Sequence, residues 1–176
     1  IEALMGLSVK IFDTMKKVHG LQKRHKLLLQ VATILHDCGK YISLSNSSEC
    51  SYQIIMSSEI IGLTHREREI IALTVCYHTL PLPEYEALAD KLSKEEYVVV
   101  AKLSAILRVA NALDQSHRQK FDKMHVSLKE RELVITIEAY EDISLEQALF
   151  EAKTAYFENV FSMKPVLKEK RVYRYE

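Results

Sequence analysis

The hydrophobic period of this chain changes once, near residue 122, and that change limits the fold more than any other feature. Before it, apolar side chains recur at helical spacing. Leu4, Leu7, Ile11, Met15 and Val18 form one stripe, and Leu27, Leu28, Val31, Ile34 and Leu35 a second. Ile70, Ile71 and Val75 follow, then Val99, Leu103, Ile106, Val109, Ala110 and Leu113. After residue 122 the period is two: Met124, Val126 and Leu128 alternate with polar neighbours, as do Leu133, Ile135 and Ile137. Only 4 Gly and 3 Pro interrupt 176 residues, so the elements run long.

Boundary signals agree with these periods. Gly20 and Gly39 stand where helix C-caps belong, and Ser43 to Ser48 reads as a loop before a short helix from about Ser48 to Ser57. Thr64/Glu67, Ser93/Glu96 and Ser144/Gln147 have capping-box spacing. The helix after Thr64 stops before Pro81-Leu82-Pro83. Glu130-Arg131 reads as a hairpin turn, the segment from Ser144 as a helix through Tyr156, and Pro165 to Tyr173 as a last strand. The expected fold is α+β. A mainly helical region spans residues 1–120, and a small β-β-α-β subdomain spans 121–176 and packs on it.

Charge removes several function classes. The 24 Lys plus Arg balance 24 Asp plus Glu, which argues against duplex nucleic acid as the main partner. No run of about 18 apolar residues is present to span a membrane, and no signal peptide is visible. Cys38, Cys50 and Cys76 form no CxxC, which points to a reduced, cytoplasmic setting. The opening on Ile1 rather than Met reads as a fragment whose functional partners lie upstream.

His36-Asp37 closes the second helix, directly before Cys38-Gly39-Lys40. Imidazole suits a transition metal and carboxylate can bind or bridge metals, so the pair is a candidate metal site; it serves equally as a polar helix end. The run Ala32-Thr33-Ile34-Leu35-His36-Asp37-Cys38-Gly39-Lys40 resembles the core motif of the HD superfamily of metal-dependent phosphohydrolases. Cys76-Tyr77-His78 resembles an R-Y-H segment. Leu107-Arg108-Val109-Ala110-Asn111-Ala112-Leu113-Asp114-Gln115-Ser116-His117 resembles L-R-V-A-D-A-L-D-R-S-H. With the β-β-α-β tail, these motifs are similar to the C-terminal HD-like domain of the exopolyphosphatase/guanosine pentaphosphatase (Ppx/GppA) family.

The resemblance implies a hydrolase whose phosphoanhydride chemistry sits in upstream actin-like domains. Nothing in this chain resembles their phosphate loops, so no catalytic residue is assigned. The C-terminal domain then helps hold polyphosphate, or guanosine polyphosphate, and supports assembly as a homodimer. Two departures bear on metal binding. The first His of the HD pattern falls before Ile1, and Asn111 stands where a closing Asp is expected. No cofactor is expected; a divalent metal at a degenerate His36/Asp37 site is the alternative, with His78 as a substitute ligand. A metal-free lining for phosphate oxygens would use Lys40, His78, Arg108, His117 and Arg118, with Lys120 and Lys123 extending it, since cationic forks and ammonium groups suit phosphate. Arg108 reads equally as a buried partner of Asp114 or Asp37. His19, His25 and His65 read as surface groups, and His125 as a polar-face strand residue. Two other readings compete: an autonomous metal-dependent phosphohydrolase acting through His36 and Asp37, and a purely structural dimerisation module.

Overall fold

The structure, a computed structural model, describes residues 2–116, 121–139 and 142–171. The helical stripes become α1 (Glu2–Thr14), α2 (Lys16–His19), α3 (Lys23–Leu35), α4 (Ser47–Ser57), α5 (His65–Tyr77) and α6 (Lys94–Ser116). The period-two segments become β1 (Phe121–Lys129) and β2 (Glu132–Ala139), followed by α7 (Ser144–Phe161) and β3 (Lys164–Arg171). The architecture is α+β. No helix among the described residues is long and apolar enough to cross a membrane.

α6 organises the molecule. The Ser93/Glu96 box opens it: the Ser93 N–H donates to Glu96 Oε2 at 2.8 Å, and the Glu96 N–H donates to Ser93 Oγ at 3.2 Å. With no Gly or Pro inside, it continues for 23 residues. Leu103, Ala105, Ile106, Leu107, Val109, Ala110, Ala112 and Leu113 are all buried, because α1, α3, α5 and α7 pack around this helix. Each large aliphatic side chain among them contributes roughly 1.5–3 kcal/mol of burial.

β1 and β2 form an antiparallel hairpin turning at Glu130, which adopts φ 49, and β3 pairs parallel to β2. The parallel pairing requires a crossover, which α7 supplies. Leu133, Ile135, Ile137 and Ala139 of the central strand join Phe150, Phe157 and Leu167 and the α6 side chains in one continuous core.

Three local expectations change. The first stripe is not one helix: it breaks at Met15, and α2 ends at Gly20 in the left-handed region, φ 63. That break lets His19 turn inward, fully buried rather than on the surface. One His19 ring nitrogen, Nε2, lies 2.8 Å from Phe12 O, and the other, Nδ1, accepts from the Leu21 N–H at 2.8 Å. Ser144 and Gln147 do not form their box. Ser144 Oγ donates to Asp142, and Gln147 reaches across to donate to Leu167 O of β3 at 3.0 Å, so both side chains are engaged elsewhere. The last strand is described to Arg171, and Val172 and Tyr173 lie outside the described residues.

Candidate functional site

The end of α3 is shaped by a glycine. A Cβ at Gly39 would stand 2.0 Å from Ser47 O and 2.5 Å from Ser51 N, so only glycine lets the 3₁₀ turn Cys38–Tyr41 press against the start of α4. The Gly39 N–H donates to Ser51 Oγ at 2.9 Å and fixes that approach. Upstream of the turn, His36 Nδ1 donates to Thr33 O at 2.7 Å, which leaves Nε2 facing Asp37 Oδ2 at 3.4 Å. Lys40 Nζ donates to the same Asp37 oxygen at 2.8 Å.

The end of α5 repeats the first part of this pattern. His78 Nδ1 lies 2.5 Å from Val75 O, three residues back. A carbonyl only accepts, so Nδ1 carries the proton and Nε2 carries a lone pair. Burial, the largest influence, holds this imidazole down to about 4, neutral at ordinary pH. Its Nε2 is buried with no partner among the described residues. The His36 and His78 rings meet edge to face with centroids 5.8 Å apart.

Arg108 of α6 holds this second end in place. Nε donates to His78 O at 3.1 Å, and Nη2 donates to Tyr77 O at 2.7 Å and Leu80 O at 2.6 Å. These are carbonyls that the end of a helix leaves without partners. The guanidinium also lies over the Tyr156 ring of α7, 4.4 Å from its centroid. Arg108 therefore answers to carbonyls and a ring; its partners are neither Asp114 nor Asp37. Nη1 makes no hydrogen bond among the described residues.

Beside this clamp lies a cavity of about 290 Å³, lined by His78, Thr79, Arg108, Asn111, Ala112, Ala152 and Lys153. The structure thus brings two of the five candidate phosphate residues, His78 and Arg108, to one cavity. Lys40 is not among its lining residues and pairs instead with Asp37. His117, Arg118 and Lys120 lie outside the described residues. Thr79 and Lys153 were not candidates from sequence. No spacing rule could have found Lys153, because only the packing of α7 on α6 puts it beside Arg108.

Among the described residues the donor set does not fit a divalent metal. His36 and His78 are oriented as metal-binding imidazoles often are, with Nδ1 held by a carbonyl. Asp37, however, is engaged by Lys40, and the neutral Asn111 stands where a second carboxylate belongs. Among the described residues no three His, Cys, Asp or Glu side chains are grouped to hold an ion. Of the thiols, Cys76 is buried and pushed up to about 11 by that burial, which makes it unreactive at neutral pH.

No curated protein matches the chain. A family model described as Ppx/GppA phosphatase, domain III, matches residues 3–155. That span covers α1 to α6, the cavity residues His78, Arg108, Asn111 and Lys153, and most of α7, so the chain belongs to the Ppx/GppA phosphatase family.

Proposed function

We propose that this chain is a phosphate-chain-holding module of a Ppx/GppA phosphatase, working in the cytoplasm beside catalytic actin-like domains and supporting assembly as a homodimer. Its ligand is linear polyphosphate or the phosphate tail of a guanosine polyphosphate. The observation that carries this reading is the cavity at the end of α5, where Arg108 and Lys153 flank His78, Thr79 and Asn111. Arg108 is already fixed by three carbonyls and the Tyr156 ring, so offering Nη1 to a phosphate oxygen needs little further ordering. A neutral His78 adds polarity without a second buried charge.

Magnitude favours a polymer over a single phosphate. One exposed ion pair yields only about 0–1 kcal/mol. Linked phosphates bring each further contact at high effective concentration, so modest contributions multiply.

The test is a binding titration with fluorescent long-chain polyphosphate, tripolyphosphate and orthophosphate. Long chains should bind about a hundredfold more tightly than orthophosphate, and Asn111→Leu with Lys153→Gln should weaken them. Equal affinity for all three ligands overturns the reading. Hydrolysis by the isolated chain that disappears in Asp37→Asn would instead place the chemistry at the end of α3.

A further inference from the structure

The second apolar stripe of the sequence does not all turn inward. α3 buries Leu28, Leu29, Ala32 and Thr33, the side on which α1 and α5 pack. Leu27 and Ile34 belong to the same stripe, but at 100° per residue they fall on the opposite side of the helix. Both stay exposed, with half-buried Val31 between them. Lys23, one turn before Leu27, opens this outer row. Further exposed apolar side chains follow the end of α3: Tyr41, Ile42 and Leu44 are 94%, 67% and 81% exposed. They are held in place. Gly39 presses the turn that carries Tyr41 against α4, and the Asn46 N–H donates to Ser43 Oγ at 3.1 Å across the loop that carries Leu44.

The same segment carries charge of one sign. Between Asp13 and Asp37 there is no carboxylate, whereas Lys16, Lys17, Lys23, Arg24 and Lys26 all fall there. Arg24 pairs with Glu67 and Lys26 with Asp13, and beyond α3 Lys40 answers Asp37. Lys16, Lys17 and Lys23 are exposed and have no carboxylate partner among the described residues. In a chain of zero net charge, α2 and α3 thus combine unpaired cations with an outward apolar row. A basic helical segment with an exposed apolar row is the chemistry of a lipid-facing surface.

We propose that the outer face of α2 and α3, with the turn and loop after α3, docks on the surface of an anionic lipid bilayer. Leu27, Ile34, Ile42 and Leu44 enter the boundary between headgroups and acyl chains, and Tyr41 sits at that boundary. Lys16, Lys17 and Lys23 meet the lipid phosphates. The contact is independent of the cavity at α5 and of whatever fills it. A free polyanion would answer the lysines but leave the apolar row in water. An apolar protein surface would cover the row but bring no negative charge to the lysines. An anionic bilayer supplies both.

The experiment is co-sedimentation with vesicles of equal parts phosphatidylglycerol and phosphatidylcholine, against vesicles of phosphatidylcholine alone. Wild type should bind the anionic vesicles only, and less as salt rises. Lys16→Gln/Lys17→Gln/Lys23→Gln should lower the partition coefficient by about a hundredfold. Ile42→Ser/Leu44→Ser should lower it by about tenfold at unchanged net charge. All five side chains are exposed, so folding should be unchanged, which circular dichroism checks. No binding of wild type to the anionic vesicles overturns the proposal. Binding that the apolar variant leaves intact also overturns it, since that is adsorption of charge alone. A dimer that the apolar variant dissolves, seen by light scattering without vesicle binding, assigns the face to a second copy instead. Binding of poly(dT) as tight as that of the vesicles, lost in the lysine variant, assigns it to nucleic acid.

Discussion

The ends of α3 and α5 begin from the same local chemistry and finish in different environments. Each closes on a histidine whose Nδ1 meets the carbonyl three residues back. At α3 the chain itself completes the arrangement: Gly39 allows a tight turn, and Lys40 returns to Asp37 across a pair whose side chains are 45% and 43% exposed. At α5 the completing group comes from 30 residues away, when Arg108 caps the carbonyls and His78 is sealed to 4% exposure. The difference teaches that a local helix end stays wet and weakly held, whereas one capped from another element becomes part of the core and borders a cavity.

The sharpest way to break this contrast is Arg108→Met. It keeps much of the apolar stem but leaves the Tyr77, His78 and Leu80 carbonyls without their charged donor. We expect a loss of about 4 kcal/mol in urea unfolding. A loss below about 1 kcal/mol would mean that water caps α5 as well as Arg108 does.

Acidification tests the same end through His78. Its unfolded imidazole gains a proton as pH falls through about 6.5, whereas burial delays this in the folded protein to about 4. The unfolded state therefore binds more protons in that window. Stability should fall by about 3 kcal/mol between pH 6.5 and 4 on this account and level off below. His19, also held low by burial, adds to the slope. Comparing wild type with His78→Gln isolates His78, and the variant should lose less on acidification. Equal acid losses would show that His78 takes up its proton over the same pH range folded and unfolded.

The smallest effect belongs to the α3 end. Lys40→Met removes an exposed ion pair and should cost less than about 1 kcal/mol, with that cost shrinking further in high salt. A loss comparable to that of Arg108→Met would erase the distinction between the two ends.

Much of this was legible in the residues. The switch of period near residue 122 predicted helices before and strands after, because side-chain alternation follows directly from backbone geometry. Capping boxes at Thr64 and Ser93 formed as read, since each uses only a side chain three residues away. The Ser144/Gln147 box did not, because Gln147 found Leu167 on another strand. His19 misled for a similar reason: its place near a helix end suggested water, but the break at Met15 folds it against Phe12 and Leu21. In the site, His78 and Arg108 were named as candidates, but their roles and the presence of Lys153 were not readable.

The sequence by itself determined the element types, the scarcity of breaks, and the motifs that carry family membership, because these depend on spacing along one chain. Tertiary structure alone decided that Arg108 caps α5 and lies over Tyr156, that Lys40 pairs with Asp37 instead of entering the cavity, and that α7 delivers Lys153 beside Arg108. A guanidinium or ammonium group has several competing acceptors of similar strength. Which of them it meets is fixed by the packing of helices far apart in sequence, and no local pattern encodes that choice.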